Sequence, residues 1–247
     1  MTSEYVRGHG KLGKEGVNRG NKSRARDILP VPRTKEEAKQ AYDRISRFYD
    51  YTLGLLGRKY SEMALDRLSL VEGEMVLEIG VGTGHCLKQI ARLVGPAGKA
   101  CGIDISSNMI ARTKKGLEKE GLANRAGLCC AEATCLPFND SAFDAVFMSF
   151  TLEVLDTPDI PRVLARIKEV LKPGGRLGIV DMSKETGKSV LLKLYEWLHK
   201  KCPKYLGSRP IYAKQCLIDA GYQIRSKERI KIFRLPAEII VAIKATP

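Results

Sequence analysis

A chain of 247 residues, 44% of them hydrophobic, can bury about 70–75% of its extended-chain surface in one core, so one domain with appendages is expected rather than two full domains. The formal charge of +14 lies toward the ends: residues 1–33 hold eight Lys or Arg against three acids, and residues 184–234 hold thirteen against four. An uncharged run of eighteen apolar residues does not occur, and the start of the chain is basic and glycine-rich. Neither a membrane-spanning helix nor a secretory signal is expected, and the protein is read as cytoplasmic.

Residues 1–33 have no hydrophobic period and read as a flexible basic leader. From Thr34 the spacing turns helical, with Ala41, Ile45 and Phe48 on one side, and Glu37 follows Thr34 by three residues as in a capping box. Residues 34–70 are therefore predicted to form two helices interrupted near Gly54 and Gly57. An alternation follows: strands at 75–79, 99–103, 126–130, 144–149 and 175–181, helices at 85–94, 107–119 and 158–171. In "LKPGGRLGIVD" a helix stops, glycines turn the chain and an apolar strand begins. Strands linked by crossover helices imply an α/β fold with a mostly parallel sheet whose ligand cleft opens at the carboxyl ends.

Beyond Asp181 the pattern changes. "SVLLKLYEWLHKKC" is helical, with Leu191, Leu194, Trp197 and Leu198 beside Lys193, Lys200 and Lys201. A helix near 210–220, ended by Gly221, leads to strands near 222–232 and 237–243, which are expected to make an antiparallel edge hairpin. The seven cysteines form no CxxC pair and several fall inside predicted elements, so they read as reduced core thiols, and no metal site is expected.

In "LEIGVGTGH" Gly80, Gly82 and Gly84 follow the first strand and precede a helix, allowing a tight turn and close approach of a ligand to backbone amides. A dinucleotide fingerprint would place its third glycine three residues after the second, where His85 stands. Glu78, two residues before the loop, would repel a pyrophosphate and could receive an ammonium. Asp104 ends the second strand, 26 residues after Glu78, suitably placed for ribose hydroxyls, with Ile105 against an adenine face. Glu132 and the Ala133 amide, after the third strand, could read the adenine edge. Together these describe an adenosine with a cationic, phosphate-free tail.

The stretches "YDRISRFYD", "VLEIGVGTG", "GIDISSNMI", "AEATCLPFNDSAFDAVFMSFTLEVLD" and "EVLKPGGRLGIVD" resemble those of class I S-adenosylmethionine-dependent methyltransferases, most of all the ubiquinone/menaquinone biosynthesis family and its type 11 relatives. The resemblance is close over about residues 38–182. It implies a Rossmann-like, seven-stranded sheet over residues 71–247, an N-terminal helical lid at 34–70 and an acceptor-side insertion around 184–220. By the same resemblance Glu78 and the Gly80–Gly84 loop would hold the methionine portion, Asp104 the ribose, and Ile105 with Met109 the adenine face. Phe150 and Thr151 would close the cofactor side of the acceptor pocket, and Tyr42, Tyr49 and Asp50 would belong to the lid. The family usually has Asp where this chain has Glu132.

Methyl transfer from a sulfonium needs alignment and exclusion of water more than a dedicated catalytic pair. The residues accordingly name no catalytic base; Tyr49, His199, Tyr205 and Arg209 are the acceptor-side candidates, Arg209 as a binder of an oxygen anion. The family resemblance points to a hydrophobic acceptor, a quinone-like or isoprenoid-linked ring, and the lysine-flanked apolar helix to an anionic membrane surface. A phospholipid N-methyltransferase is the alternative, kept open by Glu153 and Asp156. An RNA methyltransferase or a non-catalytic cofactor-binding protein ranks lower, since no nucleic-acid recognition module is visible. Oligomeric state is left open.

Overall fold

The computed structural model describes residues 28–29, 34, 36–37, 40, 43, 53–185, 190–201, 208–232 and 234–245. Tyr42, Tyr49, Asp50 and Tyr205 lie outside them. Seven strands make one sheet in the order β3-β2-β1-β4-β5-β7-β6: β1 Met75–Ile79, β2 Lys99–Asp104, β3 Ala126–Cys130, β4 Phe143–Ser149, β5 Leu171–Met182, β6 Tyr222–Ile232 and β7 Leu235–Lys244. The first five pair in parallel, and β7 runs antiparallel to both β5 and β6.

Both faces of the sheet are covered, and the strand sequences show why. On β4, Ala145 and Phe147 enter one core while Val146 and Met148 enter the other. A strand buried on both sides reads as a continuous apolar run rather than an alternating one. Helices α1 Leu53–Leu68, α2 His85–Leu93 and α3 Ser107–Lys119 cover the face of Phe147 and Val76. Helices α4 Asp159–Val170 and α6 Ala213–Asp219 cover the other. On α4 the inward stripe is Ile160, Val163, Leu164 and Ile167, each at most 2% exposed; burying each such side chain stabilises the fold by about 1.5–3 kcal/mol. Helix α5, Val190–Lys201, rests on β7.

Four expectations change on folding. First, α1 runs unbroken through Gly54 and Gly57. Gly57 serves packing instead: a Cβ there would come within 3.0 Å of the Phe150 ring. Second, the leader is not wholly free, since Ile28 is 6% exposed and packed in the core beside α4. Third, Cys130 and Cys135 are exposed, although all six described cysteines are free thiols. Fourth, Arg209 is fully buried, and its guanidinium is consumed by internal acceptors, as set out below. The capping box does form: the Thr34 N–H donates to Glu37 Oε2 at 2.8 Å and the Glu37 N–H to Thr34 Oγ1 at 3.2 Å. Among the described residues no helix is long and apolar enough to cross a membrane.

Candidate cofactor site

At the carboxyl end of the sheet β1, β2 and β4 each release the chain into a loop, and β1 pairs with both of the others. The loop after β1 bends back to β2 because the amides of Gly80 and Val81 both donate to the Ile103 carbonyl, at 2.9 and 3.1 Å. Gly80 has φ +79°, and a Cβ on it would sit 2.5 Å from Thr151 Oγ1, so neither the turn nor the approach of the β4 loop tolerates a side chain. Gly82, φ +53°, has open space where its Cβ would be. Gly84, also left-handed, forms the amino-terminal cap of α2 against Thr113.

Asp104 ties this loop down. One carboxylate oxygen accepts the Gly82 N–H at 2.9 Å and the other the Ser106 N–H at 2.8 Å. The Ile105 amide also bonds to this carboxylate, which lines the cleft with acceptor capacity left for a ligand hydroxyl. Burial pushes the Asp104 carboxyl up, opposed by those amide bonds. Ser106 in turn caps α3, its Oγ accepting the Met109 N–H at 3.1 Å, which sets Met109 beneath the cleft.

A single cleft collects most of the cofactor residues that the sequence singled out, Glu78 and Gly84 not being among its lining. Gly80, Gly82, Asp104, Ile105, Met109, Glu132, Ala133 and Phe150 all line it, together with Ile79, Ile103, Ser149, Thr151, Val154, Leu155, Asp156 and Asp159. Its carboxylates are Asp104, Glu132, Asp156 and Asp159, and the described lining residues include no Lys, Arg or His. Phe150 holds φ +51°, an uncommon conformation for an aromatic residue, kept by its N–H bond to the Val180 carbonyl at 2.8 Å. Glu132 is turned by Thr134, whose hydroxyl donates to it at 2.6 Å.

Glu78 lies just below this surface on β1, 2% exposed, with its Oε2 buried and without a hydrogen-bond partner among the described residues. Burial raises its carboxyl well above the ordinary range, and the neighbouring Asp104 charge adds to the rise. A buried carboxylate lacking a counter-charge is costly, so the arrangement suits a ligand that brings a cation and disfavours one that brings phosphate.

Comparison with known proteins gives this geometry a family. Residues 76–175 match the family model described as a methyltransferase domain. The ubiquinone/menaquinone biosynthesis C-methyltransferase UbiE of Hahella chejuensis is 31% identical over 172 residues, 68% of each chain. The chain belongs to the ubiquinone/menaquinone biosynthesis methyltransferase family. A solved S-adenosylmethionine-dependent methyltransferase from Aquifex aeolicus superposes with a TM-score of 0.58 at 26% identity, covering 75% of this chain and 89% of that one. The [4+2]-cyclase SpnF shares the fold at a TM-score of 0.73 and 21% identity, covering 89% of this chain and 99% of that one.

This methyltransferase uses S-adenosylmethionine, and its residues fit that cofactor. Glu78, whose Oε2 has no partner among the described residues, would answer the ammonium and sulfonium charge, Asp104 would accept from the ribose, and Ile105, Met109 and Ala133, which line the cleft, would lie against the adenine. The open side of Gly82 would leave backbone exposed to the methionine portion. When bound, the cofactor supplies an electrophilic methyl group on a positively charged sulfur.

On the acceptor side the fold separates the candidates. His199 is 1% exposed on the inner face of α5, both ring nitrogens without a hydrogen-bond partner among the described residues, and it is not among the residues lining the cleft. Arg209 faces internal carbonyls and is not presented to an acceptor anion. His85 opens α2 but turns to Glu62 on α1 at 2.9 Å, away from the lining. Sequence reading missed Ile79, Ile103, Thr134, Val154, Leu155 and Asp159. The strand isoleucines look like ordinary core residues, and Asp159 looks like a first-turn acid favoured by the helix dipole; only the convergence of β1, β2 and the β4 loop shows otherwise.

Proposed function

We propose that the enzyme transfers the methyl group to a ring carbon of a hydrophobic, quinone-like acceptor. The lining of the cleft carries the reading: apolar walls from Ile79, Phe150, Val154 and Leu155, four carboxylates, and no cation among the described lining residues. Such a site accepts a neutral ring and repels a phosphorylated one. The C-methyltransferase named for UbiE at 31% identity supports the same class. The protein's part is to hold the ring in line with the methyl and keep water out, for which orientation is worth several kcal/mol. A methylated ring carbon must also release its proton, and Asp156, a carboxylate on the Val154–Asp156 side of the lining, is the group we assign to accept it.

Incubation with labelled cofactor and a panel of hydroquinones lacking one ring methyl, with and without a prenyl tail, is expected to give label on a ring carbon. Label on phosphatidylethanolamine or on RNA alone would overturn this reading. The amine is the second possibility because Asp156 and Asp159 both face the cleft, and a carboxylate pair there would attract an ammonium acceptor.

The acceptor class also accords with work at an anionic membrane surface. Helix α5 buries Leu192 and His199 but leaves Leu194, Trp197 and Leu198 exposed by 49, 54 and 37%, with Lys193 and Lys201 exposed beside them. An outward apolar stripe flanked by lysines suits the headgroup region of an anionic bilayer. Flotation with vesicles containing about 30% phosphatidylserine is expected to carry the protein, and the double substitution Leu194→Gln, Trp197→Gln to reduce the bound fraction by about tenfold. Equal binding by both proteins would remove α5 from the contact.

A further inference from the structure

Arg209 is the largest fully buried side chain among the described residues, and its guanidinium reaches three separate acceptors. Nε donates to the Leu29 carbonyl at 2.5 Å, one terminal nitrogen to the Glu153 carbonyl at 2.6 Å, and the other to Thr157 Oγ1 at 3.1 Å. Its own N–H also donates to the Glu153 carbonyl, at 3.3 Å. Burial pulls its pKa down to about 10, so it stays charged at neutral pH. Isolating a charge in this way is unfavourable unless the donors are used, and the planar fork with five N–H groups can satisfy acceptors in several directions where a lysine cannot.

Those acceptors lie on two segments far apart in the chain, Ile28–Leu29 and the loop after β4. Glu153 and Thr157 bracket Val154, Leu155 and Asp156, all of which line the cofactor cleft. On its far side this loop is held by β5, the Met182 N–H donating to Glu153 Oε2 at 2.5 Å. Leu29 follows Ile28, which packs in one core cluster with Ile160 and Leu164 and lines a second cavity together with Thr157 and Cys216. Thr157 therefore faces the strap while its neighbour Asp156 faces the cleft.

We infer that Ile28–Leu29 is a strap and Arg209 a positioning residue, which together set the Val154–Asp156 wall of the cleft. The inference rests on the reading of that wall as acceptor-side, but its first test needs no acceptor. In the full-length protein, Ile28→Asp is expected to undock the strap and Arg209→Lys to lose the fork. Each should speed amide hydrogen exchange in residues 152–157 by about tenfold or more while leaving β1 and β2 protected as before. With whichever acceptor proves active, both variants should raise its KM by about tenfold and change kcat by less than about threefold. A residue that merely stabilises the fold would lower the melting temperature without either effect. Should the charged variant unfold, Ile28→Ala and Thr157→Val carry the same expectation at smaller size. Unchanged exchange in 152–157 in folded variants at both positions overturns the inference, whereas failure to methylate any quinone would leave the exchange result standing and remove only the acceptor reading.

Discussion

Replacing Asp104 with alanine is expected to weaken S-adenosylmethionine binding by at least about 100-fold, since two hydrogen bonds to a charged carboxylate are lost at about 1.5–3 kcal/mol each. The loss has a second part. Asp104 holds the Gly82 amide and the start of α3 through Gly82 N–H and Ser106 N–H, so the glycine loop also relaxes. The fold should survive, because the core strands β1, β2 and β4 keep their register without that side chain. Asp104→Asn, which keeps one acceptor oxygen, should fall between, about tenfold weaker than the parent. Isothermal titration calorimetry and far-UV circular dichroism settle the matter: unchanged affinity with an unchanged spectrum would take the ribose away from Asp104.

Glu78→Gln should act in opposite directions on stability and on binding. The free protein carries a buried carboxyl whose pKa burial raises, with Asp104 beside it. Folding such an acid favours the protonated form. Its contribution to stability is therefore complete below the ordinary carboxylate pKa and is lost as pH rises through the elevated folded value. Glutamine keeps the shape and removes the titration. The variant's free form should thus melt higher than the parent at pH 8 by several degrees, at about 2–4 °C per kcal/mol for a chain of this size, with the gap closing toward pH 5. Cofactor affinity should nevertheless drop by about 100-fold, because the cationic portion loses its counter-charge. Paired thermal melts, with and without S-adenosylmethionine, read both effects. A variant that melts lower than the parent and binds equally well would show that Glu78 is an ordinary buried acid with no part in binding.

Much of the cofactor site is written locally. "VLEIGVGTGH" places an acid, a strand end and three glycines within ten residues, and the left-handed φ of Gly80, Gly82 and Gly84 is what such spacing demands. Asp104 was equally legible, because an acid at a strand tip before a capped helix has few places to point. Most β-strand limits came through closely for a related reason: sequences such as "AVFMSF" are buried on both faces, and few other structures bury them so. The exception is β5, expected from residue 175 but beginning at Leu171, which pairs with Phe143 ahead of a register shift. Failures occurred where a residue has two plausible uses. Gly54 and Gly57 read as a helix break, yet tertiary packing of Phe150 against Gly57 is compatible with an unbroken helix. Arg209 read as a ligand for an acceptor anion, yet nothing in "GSRPIY" tells that the Glu153 and Leu29 carbonyls would close around it.

The amino-acid sequence by itself determined the fold class, the glycine loop and the acids at the strand ends around the cleft, since periodicity, turn chemistry and strand-end position act over a few residues. Only the tertiary structure decided which of the remaining polar side chains face the cleft and which face the protein. Asp159 was turned inward, Arg209 was spent on the chain's own carbonyls, and Ile28 was drawn from the leader into the core. The reason is that burial and hydrogen-bond satisfaction are set by partners far off in the chain, for Arg209 and Leu29 a separation of 180 residues, and no local pattern carries that information.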